Sequence, residues 1–154
     1  MFTEENLEKI KELKKRYPNQ KALTLPVLWM AQEQFGWISP EAVTYISGLL
    51  NLPPKHIYGV ITFYTMFNTR PVGKYHIQVC RNVSCQMLGS EKVTDHICNK
   101  LNISLGETTS DKKFTLNEVE CLGSCGTAPM MQINQDYYEN LNTEKIDTIL
   151  EKLK

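Results

Sequence analysis

Behind Thr3, the apolar positions Leu7, Ile10, Leu13 and Tyr17 recur at three- and four-residue intervals. That period predicts an amphipathic helix, with Thr3 as its cap and Glu4 and Glu5 at the positive end of its dipole. Pro18-Asn19 ends it. A second helix is predicted over Ala22 to Phe35, with Pro26 in its first turn or at a kink and Gly36 as the stop. Ser39-Pro40-Glu41 combines a cap, a proline at the first helical position and an acid behind it. The stripe Ala42, Val43, Ile46, Leu49 and Leu50 follows. Pro53-Pro54 opens a fourth helix, in which Ile57, Val60, Ile61, Tyr64 and Phe67 keep the helical spacing.

At Pro71-Val72-Gly73 the period changes. Tyr75-His76-Ile77-Gln78-Val79-Cys80 alternates, as a strand does. Ser90 is the expected cap of a helix through Leu101, with Val93, Ile97 and Leu101 inward. Phe114 to Val119 and Met130 to Ile133 read as strands. Tyr137-Tyr138 reads as a short fourth after an Asn134-Gln135-Asp136 turn. Thr143 is the expected cap of a last helix whose inward face is Ile146, Ile149, Leu150 and Leu153. The second half therefore reads β-α-β-β-α. The expected fold class is α+β or α/β: a helical bundle over residues 1–70, then a mixed-sheet domain over residues 71–154.

Composition narrows the function. A chain of 154 residues, 42% apolar and 22% charged, has a soluble globular balance. Lys and Arg number 17 and so do Asp and Glu, so no general pull draws the chain to nucleic acid or anionic lipid. No apolar run is long enough to span a bilayer. The start Met1-Phe2-Thr3-Glu4-Glu5 lacks the marks of a secretory signal or transit peptide, so a reducing cytosol is expected. In that compartment, spaced cysteines read as metal ligands or redox groups rather than structural disulfides.

Five cysteines are present. Cys80-x4-Cys85 and Cys121-x3-Cys125 form two close pairs, and both are expected where strands run out into loops. Four thiolates at such spacings suit a [2Fe–2S] cluster, which takes two per iron. A structural zinc, thiol redox chemistry or inert core thiols are the alternatives. The plant-type ferredoxin spacing is not met, because only its first pair is present. Small residues surround the second pair in Cys121-Leu122-Gly123-Ser124-Cys125-Gly126-Thr127-Ala128-Pro129. They let backbone N–H groups approach sulfur, so Gly123 and Gly126 are candidates for lining the group. A four-thiolate [2Fe–2S] site carries roughly two net negative charges, and roughly three when reduced. Arg81, beside the first ligand, is a candidate to offset that charge. Cys98 sits beside Ile97 with no partner at ligand spacing and reads as a small core residue.

Around these residues the chain resembles the thioredoxin-like [2Fe–2S] ferredoxin subunits of NADH:quinone oxidoreductase, respiratory complex I. The resemblance rests on Gln32-Glu33-Gln34-Phe35-Gly36-Trp37-Ile38-Ser39-Pro40, Gly59-Val60-Ile61-Thr62-Phe63-Tyr64 and Pro71-Val72-Gly73-Lys74. It extends to Cys121-Leu122-Gly123-Ser124-Cys125 and Ala128-Pro129-Met130. It implies a helical bundle joined to a thioredoxin-like domain, with Cys80, Cys85, Cys121 and Cys125 as the cluster ligands. It also implies a flavoprotein partner that holds FMN and oxidises NADH, so that FMN and NAD sit on the partner and not on this chain. Residues 1–70 then become the docking part. The complex would hold the chain at the cytoplasmic face of the inner membrane without direct insertion. Equivalent subunits of NAD-linked hydrogenases and formate dehydrogenases share these motifs. Asp111-Lys112 departs from the Asp-Gly of many relatives, and Cys98 is not a family ligand.

The remaining chemistry-bearing residues take plainer readings. The aromatic run Gly59 to Phe67, Trp29 and Trp37 read as core or partner interface. His56, His76 and His96 read as satisfied or surface histidines, with His76 nearest the cluster. Glu118 and Glu120 flank the second cysteine loop. No Gly-rich phosphate loop follows a strand, so the chain is not expected to bind the nucleotide itself.

Overall fold

The computed structural model describes residues 1–153. The chain divides into two compact units, Met1–Pro71 and Val72–Lys154. The first is all helical, and the second combines helices with a mixed sheet.

In the first unit, α1 (Glu4–Arg16) begins at Thr3, whose hydroxyl accepts from the Asn6 N–H at 3.3 Å. A single 3₁₀ turn, Lys21–Leu23, precedes α2 (Thr24–Phe35). The expected helix from Ala22 is thus divided, and Pro26 falls in the first turn of α2, where its missing N–H costs no helical bond. Gly36 closes α2 at φ 79°, a left-handed cap that a β-carbon disfavours. Ser39 caps α3 (Pro40–Leu50), accepting from the Ala42 N–H at 3.2 Å. α4 (Pro54–Phe63) starts where the Pro-Pro pair predicts but stops at Phe63. Tyr64 and Phe67 therefore lie past the helix, although Phe67 still packs into the core.

That core gathers Ile10, Val27, Leu28, Ala31, Ile46, Leu50, Ile57 and Ile61, all essentially sealed from solvent. Gln32 ties the bundle to the chain beyond α4: its amide donates to Met66 O at 2.8 Å and accepts from the Asn68 N–H at 2.6 Å. Gln34 accepts from the Thr3 N–H and the Asn6 amide. The glutamines before Gly36 thus supply polar closures that an apolar core cannot.

In the second unit, β1 (Tyr75–Cys80), β2 (Phe114–Val119), β3 (Met131–Ile133) and β4 (Asp136–Tyr138) form one sheet in the order β2-β1-β3-β4. β1 and β2 run parallel, with Tyr75 opposite Phe114 and Cys80 opposite Val119. The other pairings are antiparallel. A parallel pair needs a crossover. Here α5 (Val83–Met87) and α6 (Ser90–Leu101) supply it. α7 (Thr143–Lys152) lies beside α6. Ile77, Val79, Leu116, Ile133, Val93, Ile97, Ile146 and Leu150 form the core of this unit.

Three local expectations are corrected. α5 is an element that the hydrophobic pattern does not reveal, because five residues cannot display a period. Ser90 is the first helical residue of α6 rather than its cap; Gly89, at φ 96°, holds the cap position, and the Ser90 hydroxyl turns back to Gln86. Asn142, not Thr143, caps α7, accepting from the Lys145 N–H at 2.8 Å.

Candidate metal centre

The parallel register sets the geometry of the site. Because β1 and β2 run side by side and end together at Cys80 and Val119, the segments that leave them emerge at the same end of the sheet. The two cysteine pairs, with 35 residues between them in sequence, therefore both leave the sheet from that end.

The first pair is built into structure rather than into a loop, contrary to expectation. Cys80 is the last residue of β1, only 3% exposed, and its N–H donates to Met130 O at 3.2 Å. Asn82 caps α5 by accepting from the Val83 N–H at 2.9 Å, and α5 carries Cys85, 2% exposed. Cys80, Cys85 and Met130 form a small buried cluster, with Leu122 and Ala128 against it. Burial pushes the Cys85 thiol up to about 11. A hydrogen bond with Cys80 adds to this, the Met130 backbone opposes it, and the charges of Cys80 and Cys125 add smaller increments. An unliganded thiolate is thus disfavoured there, which is the situation a cationic metal reverses.

The second pair is exposed. Cys121 stands just past β2, and Cys125 begins the 3₁₀ turn Cys125–Thr127. Their sulfurs lie 3.9 Å apart. Gly123, at φ 85°, turns its N–H onto Cys121 Sγ at 3.4 Å. This is the amide-to-sulfur contact that the small residues allow, and the positive φ is the reason a glycine stands there. Gly126 makes no comparable contact, and a β-carbon placed on it would meet nothing within 4 Å.

Among the described residues, no three His, Cys, Asp or Glu side chains converge as one metal ion requires. The thiols come as two pairs, one buried and one exposed. Two thiols for each of two metal atoms is the donor set of a [2Fe–2S] cluster, so the residues present fit that group.

The other candidates take definite places. Arg81 directs its Nε toward Glu120 Oε1 at 3.6 Å, both side chains being exposed, so its charge is shared with that carboxylate. Cys98 on α6 is half-buried and packs on the core of the second unit, where burial raises its thiol. All three histidines are paired: His56 with Thr24, His76 with Asn117 at 2.8 Å, and His96 with Asp147 at 2.8 Å. Glu118 accepts from Thr94 at 2.9 Å. Two polar residues near the site carry no motif signal. Tyr137 donates to Leu122 O at 2.9 Å, and Glu139 accepts from both Ser124 and Thr127 within the second cysteine segment.

Two thiol pairs beyond the end of a parallel β1–β2 pair, one of them carried partly on a short helix, place the protein among thioredoxin-like iron–sulfur proteins. The chain belongs to the thioredoxin-like [2Fe-2S] ferredoxin family, whose profile matches residues 10–154. It is similar to an NADH-quinone oxidoreductase subunit of Rickettsia conorii, with 46% identity over 99% of this chain and 93% of that protein. Similarity to the corresponding NADH-quinone oxidoreductase subunit of Rhizobium meliloti is 40%, over 96% of this chain and 88% of that one. Among solved structures, an NAD+-reducing [NiFe]-hydrogenase in the air-oxidized state matches with a TM-score of 0.75 and 27% identity. The match covers 85% of this chain but only 22% of the hydrogenase chain. Among the described residues, no helix is long and apolar enough to cross a membrane.

Proposed function

We propose that this chain is the electron-transfer subunit of an NADH:quinone oxidoreductase. Cys80, Cys85, Cys121 and Cys125 hold one [2Fe–2S] cluster that exchanges single electrons with the FMN of an adjacent, NADH-oxidising flavoprotein subunit. The observation that carries this reading is the pairing of four thiols at one end of the sheet, in a chain alike over nearly its whole length to one subunit of NADH-quinone oxidoreductase. When bound, such a cluster supplies one-electron exchange and no bond chemistry.

The chain's residues have corresponding tasks. Cys80 and Cys85 form a floor closed to water, packed on Met130. Cys121 and Cys125 stand at the surface, where a partner can approach. The Gly123 N–H donates to Cys121 Sγ, stabilising thiolate charge without offering a competing ligand. Residues 1–70 serve as the docking part, for which Tyr58 and Phe63, exposed on α4, are the apolar side chains to be covered. The assembled complex then holds the chain peripherally at the cytoplasmic face of the inner membrane. The hydrogenase likeness supports a second reading, the equivalent subunit of an NAD-linked hydrogenase.

Anaerobic purification tests the proposal. About two irons and two sulfides per chain are expected, with a visible absorbance that bleaches and an EPR signal that appears on reduction. Cys80→Ser and Cys125→Ser lose or distort that signal, whereas Cys98→Ala leaves it unchanged. A colourless protein that takes up one zinc and no iron after anaerobic reconstitution would overturn the proposal. The flavoprotein complex that co-purifies separates the respiratory enzyme from a hydrogenase.

A further inference from the structure

The two halves of the site are held by different forces. Cys80 and Cys85 are fixed by burial against Met130. The Cys121–Cys125 segment has less of that support: Leu122 packs on the same cluster, but both cysteines are exposed and no residue of the Cys125–Thr127 turn is buried. A segment with so little packing holds one conformation only if hydrogen bonds over-determine it.

Beyond the bonds inside the segment, those bonds come from one short stretch, residues 137–141, which runs from β4 into the link before α7. The Tyr137 hydroxyl donates to Leu122 O at 2.9 Å. The Asn140 N–H donates to Thr127 O at 2.7 Å, and the Leu141 N–H to Pro129 O at 3.0 Å. At the centre is Glu139. One of its carboxylate oxygens accepts from the Thr127 hydroxyl at 2.7 Å and from the Ser124 hydroxyl. Lys145, from α7, donates its Nζ to Glu139 O at 2.5 Å and anchors the stretch from behind. Ser124 immediately precedes Cys125, and Thr127 follows it by two residues. A carboxylate bonded to both therefore brackets the ligand position from either side. Bonds to an ionised acceptor are also the stronger kind.

We propose that Glu139 is a positioning residue of the metal centre, its carboxylate clamping Ser124 and Thr127 so that Cys121 and Cys125 present both sulfurs to one site. The inference rests on the functional reading above, because it assigns Glu139 a task only if those cysteines are ligands. Glu139 does not touch the ligands themselves. It sets how long the exposed half of the site persists, and its negative charge adds to the field that the bound group experiences.

The experiment uses the full-length, cluster-loaded protein and follows loss of visible absorbance to an excess of iron chelator. Glu139→Ala should speed release about tenfold, the scale of one lost hydrogen bond to a charged acceptor. Glu139→Gln keeps an acceptor oxygen, so release should stay within about threefold of wild type. Its reduction potential should rise, because the reduced and more negative state no longer faces that charge. The paired change Ser124→Ala with Thr127→Val removes the donors from the other side. It should reproduce the faster release, and adding Glu139→Ala to it should not speed release further. Glu144→Gln, which removes an exposed acid of α7, should leave both rate and potential alone.

Wild-type release and an unchanged potential in the Glu139 variants would overturn the proposal. So would additive effects in the triple variant. If Glu139→Ala does not fold, the Glu139→Gln potential and the Ser124/Thr127 pair decide the matter alone. A wild-type chain that never takes up iron would instead defeat the functional reading, and the two failures are told apart by the wild-type spectrum.

Discussion

Gly73→Ala should destabilise the second unit more than any simple reading of a loop glycine implies. Gly73 is not in the left-handed region, so its backbone conformation does not demand glycine. The demand is for space. A β-carbon there would lie 2.9 Å from each of three backbone atoms, Lys113 C and O and Phe114 C, at the start of β2. Ordinary carbon contacts are ~3.5–4.0 Å, so the strands must part by roughly half an ångström. Backbone cannot rotate aside as a side chain does. Overpacking of this kind costs about 1–3 kcal/mol. The same shift strains the buried bond from the Gly73 N–H to Thr115 Oγ1, 2.6 Å long, which is worth about 1 kcal/mol. Loss of glycine entropy in the unfolded chain returns roughly 0.5–1 kcal/mol. The net expectation is about 1–3.5 kcal/mol, and for a unit of this size a fall on the order of 5–25 °C in melting temperature. Anaerobic thermal and urea denaturation of Gly73→Ala measures it, with Gly126→Ala as the comparison. Gly126 has open space around it, so its alanine variant should melt within about 3 °C of wild type. A Gly73→Ala protein within ~0.5 kcal/mol of wild type would refute the close-approach argument.

Two further predictions concern the same unit. Burial holds the His76 imidazole below its ordinary value of 6.5, the Asn117 bond working partly against this. The unfolded chain therefore takes up the proton first. The contribution of His76 is fully present above pH 6.5 and is lost as the pH falls through the folded value. A ring-proton titration of the oxidised protein should place the midpoint below 6.5, and His76→Gln should flatten the acid limb of the stability curve. A midpoint at or above the ordinary value would contradict the burial argument. Lys112 is held at φ 57°, where among the described residues the other non-glycine positions of positive φ are all asparagines. Lys112→Gly should raise stability by about 0.5–1 kcal/mol, read from the urea midpoint, and no gain would mean that the turn carries no strain.

The hydrophobic pattern made long elements legible and left short ones hidden. α1, α3 and β1 are readable because each repeats its inward position at least three times and carries a signal at its start: Thr3, Ser39 and the change of period before Tyr75. α5 has five residues, too few to repeat anything, yet it carries Cys85. The caps of α6 and α7 were displaced by one residue for a related reason. At α7 two adjacent residues, Asn142 and Thr143, each carry an acceptor for a first-turn N–H, and at α6 Gly89 takes the cap position through its left-handed backbone with no side-chain bond; only the backbone angles decide either case. The cysteine spacing singled out the two pairs as candidate donors, but not that one pair would be buried and the other exposed. That difference arises because Cys80 ends a strand flanked on both sides, whereas Cys121 lies beyond β2 at the edge of the sheet. Glu139 was beyond reach for another reason. It meets Ser124 and Thr127 across 15 and 12 residues, through a contact that obeys no period.

The unequal burial of the two pairs has a consequence for how the site can fail. The burial that makes the free Cys85 thiolate costly also protects that thiol, so with the proposed ligand set the Cys80–Cys85 half should bind late and release late. With the proposed ligand set, the Cys121–Cys125 half would be the entry and the exit. Its retention depends on hydrogen bonds that water can replace one at a time. A partner seated over Cys121 and Cys125 would exclude that water and strengthen each of those bonds. Docking and cluster retention are then one coupled equilibrium rather than two separate properties. The isolated chain should lose its cluster to chelator faster than the same chain within its complex. The Glu139 clamp should matter most when the chain is alone.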